Sequence, residues 1–143
     1  MKAIMDRRLR FVLLSLLAVI LAGCGDSGRQ SLQGTVTLDG QPLEAGYIRF
    51  RPEPGSSSPT AGGEIAGGRF SIGRQGGTMA GRFRVEITAS RPVGRTFVDI
   101  ETGEKVQDVE QYLPARYNSQ TELEVEVAPG GGNTFQFDLH SGP

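Results

Sequence analysis

Few residues in this 143-residue chain could act as a nucleophile or a base. There is one cysteine, Cys24, and one histidine, His140. Hydrolysis by a triad needs a histidine that is oriented by a carboxylate beside a nucleophile. A standard zinc site draws several ligands from Cys and His. We expect His140, near the C-terminus, to be exposed. The sequence therefore predicts a protein that is not an enzyme and that holds no metal or cofactor.

Paired carboxylates could support glycoside hydrolysis, and the clearest cluster is Glu122, Glu124 and Glu126. Alternate residues of a strand point to the same face at about 6–7 Å spacing. The same pattern is typical of a solvated outer face whose acids pair with arginines on a neighbouring strand. Arg82 and Arg84 are the candidate partners. We expect this second arrangement.

Hard cations need several oxygen ligands from one loop, and residues 99–110 offer such a set. The spacing of these acids matches no EF-hand loop, so a solvated acidic loop is the expectation. Whether the loop binds calcium stays open at this stage. The acids are Asp99, Glu101, Glu104 and Asp108.

Glycan binding commonly uses exposed aromatic rings, and this chain has no tryptophan and three tyrosines. Tyr47 falls on the outward face of its predicted strand and is a candidate ligand contact. Tyr112 and Tyr117 are expected to pack against the core with a polar tip in contact with solvent.

The elements that would position these residues are short strands, since apolar and polar residues alternate with a period of two. Gly makes up 21 of the 143 residues, and Asp39-Gly40 and Gly67-Gly68 mark turns. No window shows the spacing of an amphipathic helix. The pattern predicts an all-β fold, an antiparallel β-sandwich of about seven strands. The alternating segments are 32–38, 47–51, a short one at Ile65, 70–72, 82–88, 122–127 and 134–139.

Residues 91–118 are the least regular part of the chain. The run from Thr96 to Ile100 is compatible with one further strand, and residues 101–105 resemble a turn. Residues 108–117 show no strand alternation. We interpret the stretch as a long crossover between sheets, packed by Leu113 and the two neighbouring tyrosines.

The N-terminus has the layout of an export signal. Four cations and one anion fall in Met1–Arg10, and Phe11–Ala22 is apolar except for Ser15. This run is shorter than the roughly 20 residues of a membrane-spanning helix. Its end, Leu21-Ala22-Gly23-Cys24, resembles the lipobox of bacterial lipoproteins. The resemblance implies cleavage between Gly23 and Cys24, with lipid attached to the Cys24 thiol.

The predicted organisation is a signal peptide at 1–23, a flexible tether at 24–31 and a β-sandwich domain at 32–140. Gly25 follows the lipidated position, which slightly favours the outer membrane over the inner one. Removing the leader's four basic residues and one acidic residue leaves 11 basic against 15 acidic. Nucleic-acid binders carry a basic footprint, so no nucleic-acid partner is expected.

Three segments together resemble a known family. Gly34–Leu43 (GTVTLDGQPL) is similar to the opening strand and turn of carboxypeptidase regulatory-like domains, which are transthyretin-like β-sandwiches. Gly81–Val85 (GRFRV) is similar to a later strand of that family. Leu113–Asn118 (LPARYN), with the two strands that follow it, resembles small lipoproteins of planctomycete-type bacteria. The resemblance is informative about the fold and says little about the function.

The expected function is that of a lipid-anchored β-sandwich in the cell envelope, acting as a non-enzymatic binding or structural module. Membrane lipid, reached through Cys24, is the first expected partner. An envelope protein or glycan would be the second. The alternatives are a carbohydrate-binding module and an accessory subunit of an envelope transport or secretion complex.

Overall fold

The computed structural model describes residues 28–142 and confirms the predicted all-β, sandwich-like fold. The predicted signal peptide, Cys24 and the first half of the predicted tether lie outside the described residues. Two short 3-10 turns occur, at Arg74–Gly76 and Ala115–Tyr117. The strands are β1 (Leu32–Leu38), β2 (Gln41–Pro42), β3 (Ala45–Pro52), β4 (Ala61–Ala66), β5 (Arg69–Ile72), β6 (Gly81–Thr88), β7 (Ser90–Val98), β8 (Lys105–Gln111), β9 (Glu124–Val127) and β10 (Asn133–Leu139).

The main sheet runs in the order β10-β1-β5-β4-β3-β6-β9, with β2 paired to β1. Its weakest ladder lies between β4 and β5, where a single residue pair, Ala66 with Arg69, is in register. We call this line the seam. The sheet curls at the seam, so that β10-β1-β5 forms one layer and β4-β3-β6-β9 forms the other.

Aromatic contacts join the two layers. The ring of Phe50 on β3 lies 5.9 Å from that of Phe70 on β5 and 5.8 Å from that of Phe135 on β10, measured between centroids. Tilted pairs at this separation contribute about 0.5–1.5 kcal/mol beyond the area that they bury. Phe50 therefore connects the layers at the centre of the core.

The core consists of the inward members of the alternating strands, as predicted. On β3, Ile48 and Phe50 are fully buried while Tyr47, Arg49 and Arg51 face solvent. The remaining large buried side chains are Leu32, Val36, Leu43, Ile65, Phe70, Ile72, Phe83, Val85, Ile87, Leu113, Tyr117, Val127, Phe137 and Leu139.

One ladder departs from the antiparallel prediction. β1 pairs with β10 in parallel, from Leu32 with Asn133 to Leu38 with Leu139. The other ladders among the described residues are antiparallel. Alternation reports which face a side chain occupies and is the same for both strand directions, so it could not distinguish them.

The two predicted turns are confirmed. Asp39 and Gly40 have φ values of 51° and 81°, and Gly67 and Gly68 have values of 55° and 74°. Two consecutive positive φ values define the type I′ hairpin turn, which matches the twist of the strands. After the first turn, Leu43 returns to the core with 2% of its surface exposed.

The prediction of a crossover at 91–118 is wrong for most of that stretch. β7 and β8 form a separate two-stranded sheet, here called the arm, with a register shift between Pro92 and Thr96. The turn expected at 101–105 is present, and Leu113 and Tyr117 are buried as expected. The further strand expected at Thr96–Ile100 is present in part, as the end of β7. Nearly every arm residue is exposed on both faces, so no alternation marked the rest of β7 or β8.

The C-terminal segment is fastened to the first turn of the chain. The backbone N–H of Ser141 donates to the Asp39 carboxylate at 3.0 Å. Hydrogen bonds from the side chain and backbone of Ser141 hold the pKa of Asp39 below its usual value. The ionised form of Asp39 therefore strengthens the contact between the first turn and the C-terminal segment.

Replacing the residue that joins the layers should be costly. We expect Phe50→Ala to lower the free energy of unfolding by about 3–5 kcal/mol, because the neighbouring rings close only part of the cavity. Urea denaturation measures this change. Phe97→Ala is the matched control, because Phe97 is 53% exposed on the arm. It should change stability by no more than about 0.5 kcal/mol. Equal losses would refute the assigned role of Phe50.

Candidate functional site

The candidate site is a cleft of about 420 Å³ over the seam, on the outer face of the sheet. The cleft is shallow and open to solvent. The floor passes over Gly34 and Phe70. The walls carry the polar side chains of Gln33, Thr35, Glu64, Arg69, Ser71 and Thr134.

The register of three strands assembles one wall of the cleft. Gln33 pairs with Ser71 on β5 and with Thr134 on β10, and Thr35 pairs with Arg69. Residues directly opposite each other in a ladder point to the same face, so these polar side chains project together. The Gln33 side-chain amide donates to the Thr134 hydroxyl at 3.2 Å.

The opposite wall belongs to β4 and contributes Glu64. Since β4 and β5 share only one residue pair, the strands part beyond Ala66 and the outer surface opens between them. Glu64 and Arg69 thus face the same opening from different layers. The curl that closes the core on the inside opens the cleft on the outside.

Glu64 and Arg69 are the two charged residues that line the cleft. Within residues 28–142, neither makes an ion pair or a side-chain hydrogen bond. Elsewhere on the outer face, some charges are paired. Arg51 Nη1 lies 2.7 Å from Glu86 Oε1. The cleft therefore carries one free carboxylate and one free guanidinium, with a net charge of zero.

Tyr47 lies beside the cleft, as the cross-strand partner of Glu64 on the same outer face. Its ring is 42% exposed and passes over Gly62, where a Cβ would lie 2.7 Å from the Tyr47 hydroxyl oxygen. The Arg49 guanidinium lies 6.0 Å from the ring centroid. The predicted outward position of Tyr47 is confirmed, and the missing side chain at Gly62 lets the ring lie on the sheet.

The glutamate cluster occupies a solvated strand face, as expected. Glu124 lies opposite Arg84 in the ladder, with Oε1 3.8 Å from the arginine Nε, and Glu126 lies opposite Arg82. Exposed pairs of this kind contribute about 0–1 kcal/mol. The arrangement is that of a surface strand pair.

The acids of residues 99–110 are dispersed over the arm. The Asp99 carboxylate accepts the backbone N–H groups of Thr102 and Glu101, both at 2.9 Å, and these bonds lower its pKa. Asp108 pairs with Arg95 at 3.0 Å. Within the described part of the chain, no three His, Cys, Asp or Glu side chains are grouped to hold a metal ion.

His140 follows β10, at the edge of the main sheet. Its backbone N–H donates to the Tyr117 hydroxyl at 3.0 Å, and its carbonyl accepts a bond from Arg116 at 2.7 Å. The structure thus uses the backbone of His140 to position the C-terminal segment. Cys24 lies outside the described residues.

Sequence reasoning missed the cleft. Period-two alternation indicates only that a polar residue faces outward on its own strand. Polar residues at outward positions 33, 35, 69 and 71 were a visible signal. They lie close to Glu64 only because the sheet curls at the seam, and no sequence pattern predicts that curl.

Comparison with known proteins adds little. No family model and no curated protein matches the chain. Among solved structures, the chain is similar to a 9R-lipoxygenase from Cyanothece PCC8801, with a TM-score of 0.34 and 14% sequence identity. That alignment covers 79% of this chain and 16% of the lipoxygenase chain. A likeness of this degree bears on neither activity nor family.

The cleft floor sets a strict limit on residue size. A Cβ at Gly34 would lie 2.0 Å from the Phe135 carbonyl oxygen and 2.8 Å from the Phe70 ring. We expect Gly34→Ala to lower the free energy of unfolding by at least about 1–3 kcal/mol, because the β1–β10 ladder must move. Thermal and urea unfolding measure the effect.

Gly73→Ala is the matched control for this substitution. Gly73 has φ −65°, and no atom lies within 4 Å of a Cβ built there. Alanine at such a position is neutral or stabilising by up to about 1 kcal/mol. A Gly34→Ala protein as stable as the Gly73→Ala protein would contradict the close approach of β1 and β10.

Proposed function

We propose that the protein is a lipid-anchored module of the cell envelope, attached through Cys24, whose β-sandwich binds or organises other envelope components without catalysing a reaction. The lipobox-like run ending in Cys24 supports the anchor. The cleft and the arm supply two surfaces for binding. Gly25 after the lipidated residue favours the outer membrane.

The observation that carries the proposal is where the chain joins the sandwich. The Arg29 side chain donates to the Gln75 carbonyl at 2.6 Å. Gln30, six residues after Cys24, is the first described residue whose backbone pairs with the body. Its backbone N–H donates to the Thr78 carbonyl at 2.6 Å, and its side chain accepts the Gly131 N–H at 2.7 Å. Six residues span at most about 20 Å, so a lipid on Cys24 would keep this end of the domain near the membrane.

The arm leaves from the opposite end of the sandwich. β1 starts at the tether end, where Leu32 pairs with Ile72. At the other end, Ala66 pairs with both Ala45 and Arg69, and the end of β6 pairs with Tyr47. β7 begins two residues after β6 ends, and its nine residues measure about 30 Å when extended. An anchored domain would therefore present the arm away from the membrane.

The absence of catalysis is part of the proposal because the chain has too few reactive groups. Its single histidine, His140, and its single cysteine, Cys24, would have to meet to form a Cys–His pair. Lipid on the Cys24 thiol would remove the nucleophile.

No helix within residues 28–142 has the length and apolar character needed to cross a bilayer.

Fractionation of cells tests the anchor. We expect the wild-type protein in the membrane fraction, released by detergent and not by high salt, because two or three acyl chains give stable anchoring. Mass spectrometry should find Cys24 as the first residue, carrying diacylglycerol. Cys24→Ser should abolish this modification, and Ser27→Ala, in the same tether, should leave it intact. Wild-type protein that is soluble, or that begins elsewhere, would refute the proposal.

A second candidate, an accessory subunit of an envelope complex, is favoured by the arm. Phe97 is 53% exposed and Ile100 at the tip is 98% exposed, and Val98 and Val109 are also exposed. A two-stranded sheet is at best marginally stable without further packing, and exposed apolar patches mark interaction sites. A protein partner that covers these side chains would account for both features.

Cross-linking in cells tests this second candidate. The double substitution Phe97→Ser, Ile100→Ser should remove a cross-linked species that forms with the wild type. Membrane attachment should remain unchanged. Met79→Ser is the control, because Met79 is an exposed apolar residue on the body of the domain. Identical cross-linked species in the wild type and the arm variant would exclude the arm as an interface.

A further inference from the structure

We propose that the cleft over the seam binds a neutral polysaccharide, with Glu64 and Arg69 holding sugar hydroxyls and Tyr47 supporting a ring at the rim. This inference rests on the proposed binding function and specifies its ligand. Three properties of the cleft carry it, namely its charge balance, the chemistry of its walls and the exposed ring beside it.

The charge balance selects a ligand without net charge. Glu64 and Arg69 face one opening and have no partner of their own within the described residues. An anionic ligand would be attracted by Arg69 and repelled by Glu64. A cationic ligand would be attracted by Glu64 and repelled by Arg69. A neutral ligand can satisfy both groups without either penalty.

The hydrogen-bonding capacity of the walls selects hydroxyl groups. An ionised carboxylate only accepts hydrogen bonds, and a guanidinium only donates them. A sugar hydroxyl does both, so adjacent hydroxyls can donate to Glu64 and accept from Arg69.

The remaining wall residues are suited to the same ligand. Thr35, Ser71 and Thr134 carry hydroxyls that can rotate to donate or accept. The hydrogen bond between Gln33 and Thr134 holds one side of this wall in place. The wall can therefore adapt to several hydroxyl orientations while its backbone stays fixed in the sheet.

Tyr47 adds an apolar surface next to the charged groups. Its cross-strand pairing with Glu64 places it on the strand next to the cleft, and 42% of the residue is exposed. Tyrosine combines a rigid apolar ring with a polar tip, which suits the C–H face and the hydroxyls of a pyranose. A chain of sugars could lie across the rim with one unit in the cleft.

Isothermal titration calorimetry on the processed full chain, purified in detergent, tests the proposal. The probes are cellohexaose, maltohexaose, xylohexaose and chitohexaose, with hexagalacturonate as the charged comparison. We expect at least one neutral hexamer to bind with a Kd of about 0.1–1 mM, and hexagalacturonate to bind at least about tenfold more weakly.

Substitutions locate the binding. Glu64→Gln and Arg69→Gln should each weaken binding by about tenfold, which corresponds to about 1.4 kcal/mol. Tyr47→Ala should weaken it by a comparable factor. Arg82→Gln is the matched control, because Arg82 is an exposed arginine on β6, outside the cleft. It should change the Kd less than twofold, and thermal unfolding should show that every variant is folded.

Three results would overturn the inference: no binding of any neutral hexamer at 10 mM, tighter binding of hexagalacturonate, or cleft variants that bind as the wild type does. None of these results would contradict the proposed lipid attachment through Cys24. A protein that carries diacylglycerol on Cys24 yet binds no neutral glycan would retain the proposed envelope function and lose the glycan site. A soluble protein that binds a hexamer through Glu64 and Arg69 would give the opposite outcome.

Discussion

The structure depends on the seam, where one residue pair is all that joins β4 to β5. A complete ladder there would hold the two strands side by side in one continuous surface. With one pair, the sheet can curl until the apolar faces of both layers meet. Phe50 then reaches Phe70 and Phe135 across the interior. The core and the outer cleft are two consequences of the same short ladder.

Close packing beneath the cleft restricts which residues β1 can carry. Gly34 stands on β1 between β5 and β10, and its backbone approaches Phe135 too closely for any side chain. A strand-interior glycine weakens a strand by itself, and it is typical of places where another backbone comes near. The aromatic rings on the inside and the open floor on the outside both rely on this small residue.

Several charges on the outer face are paired across strands. Arg51 and Arg84 have acidic neighbours across the strands, at Glu86 and Glu124. Such exposed pairs contribute little to stability, and their main effect is to leave the surface without a strong local field. At the seam the strands part, so Glu64 and Arg69 keep their charges unpaired. The place where the sheet opens is thus also where charge is available.

The topology separates three surfaces along the domain. The N-terminal segment joins at the end marked by Gln30, the cleft lies on the outer face, and the arm continues from the opposite end. An anchored protein with this layout would leave its cleft and arm clear of the lipid surface. The exposed apolar tip of the arm stands among Asp99, Glu101 and Glu104, and these charges disfavour contact with anionic lipid.

The sequence by itself determined the strands of the sandwich, the turns at Asp39-Gly40 and Gly67-Gly68, and the outward position of Tyr47. These features depend on local alternation and on residues that tolerate positive φ. Of the arm, only the strand near Thr96 and the turn at 101–105 were predicted, because strands exposed on both faces carry no alternation. The tertiary structure alone decided the parallel pairing of β1 with β10, the curl at the seam and the meeting of Glu64 with Arg69. These features depend on contacts between distant segments, whose register and direction are set by packing rather than by local sequence.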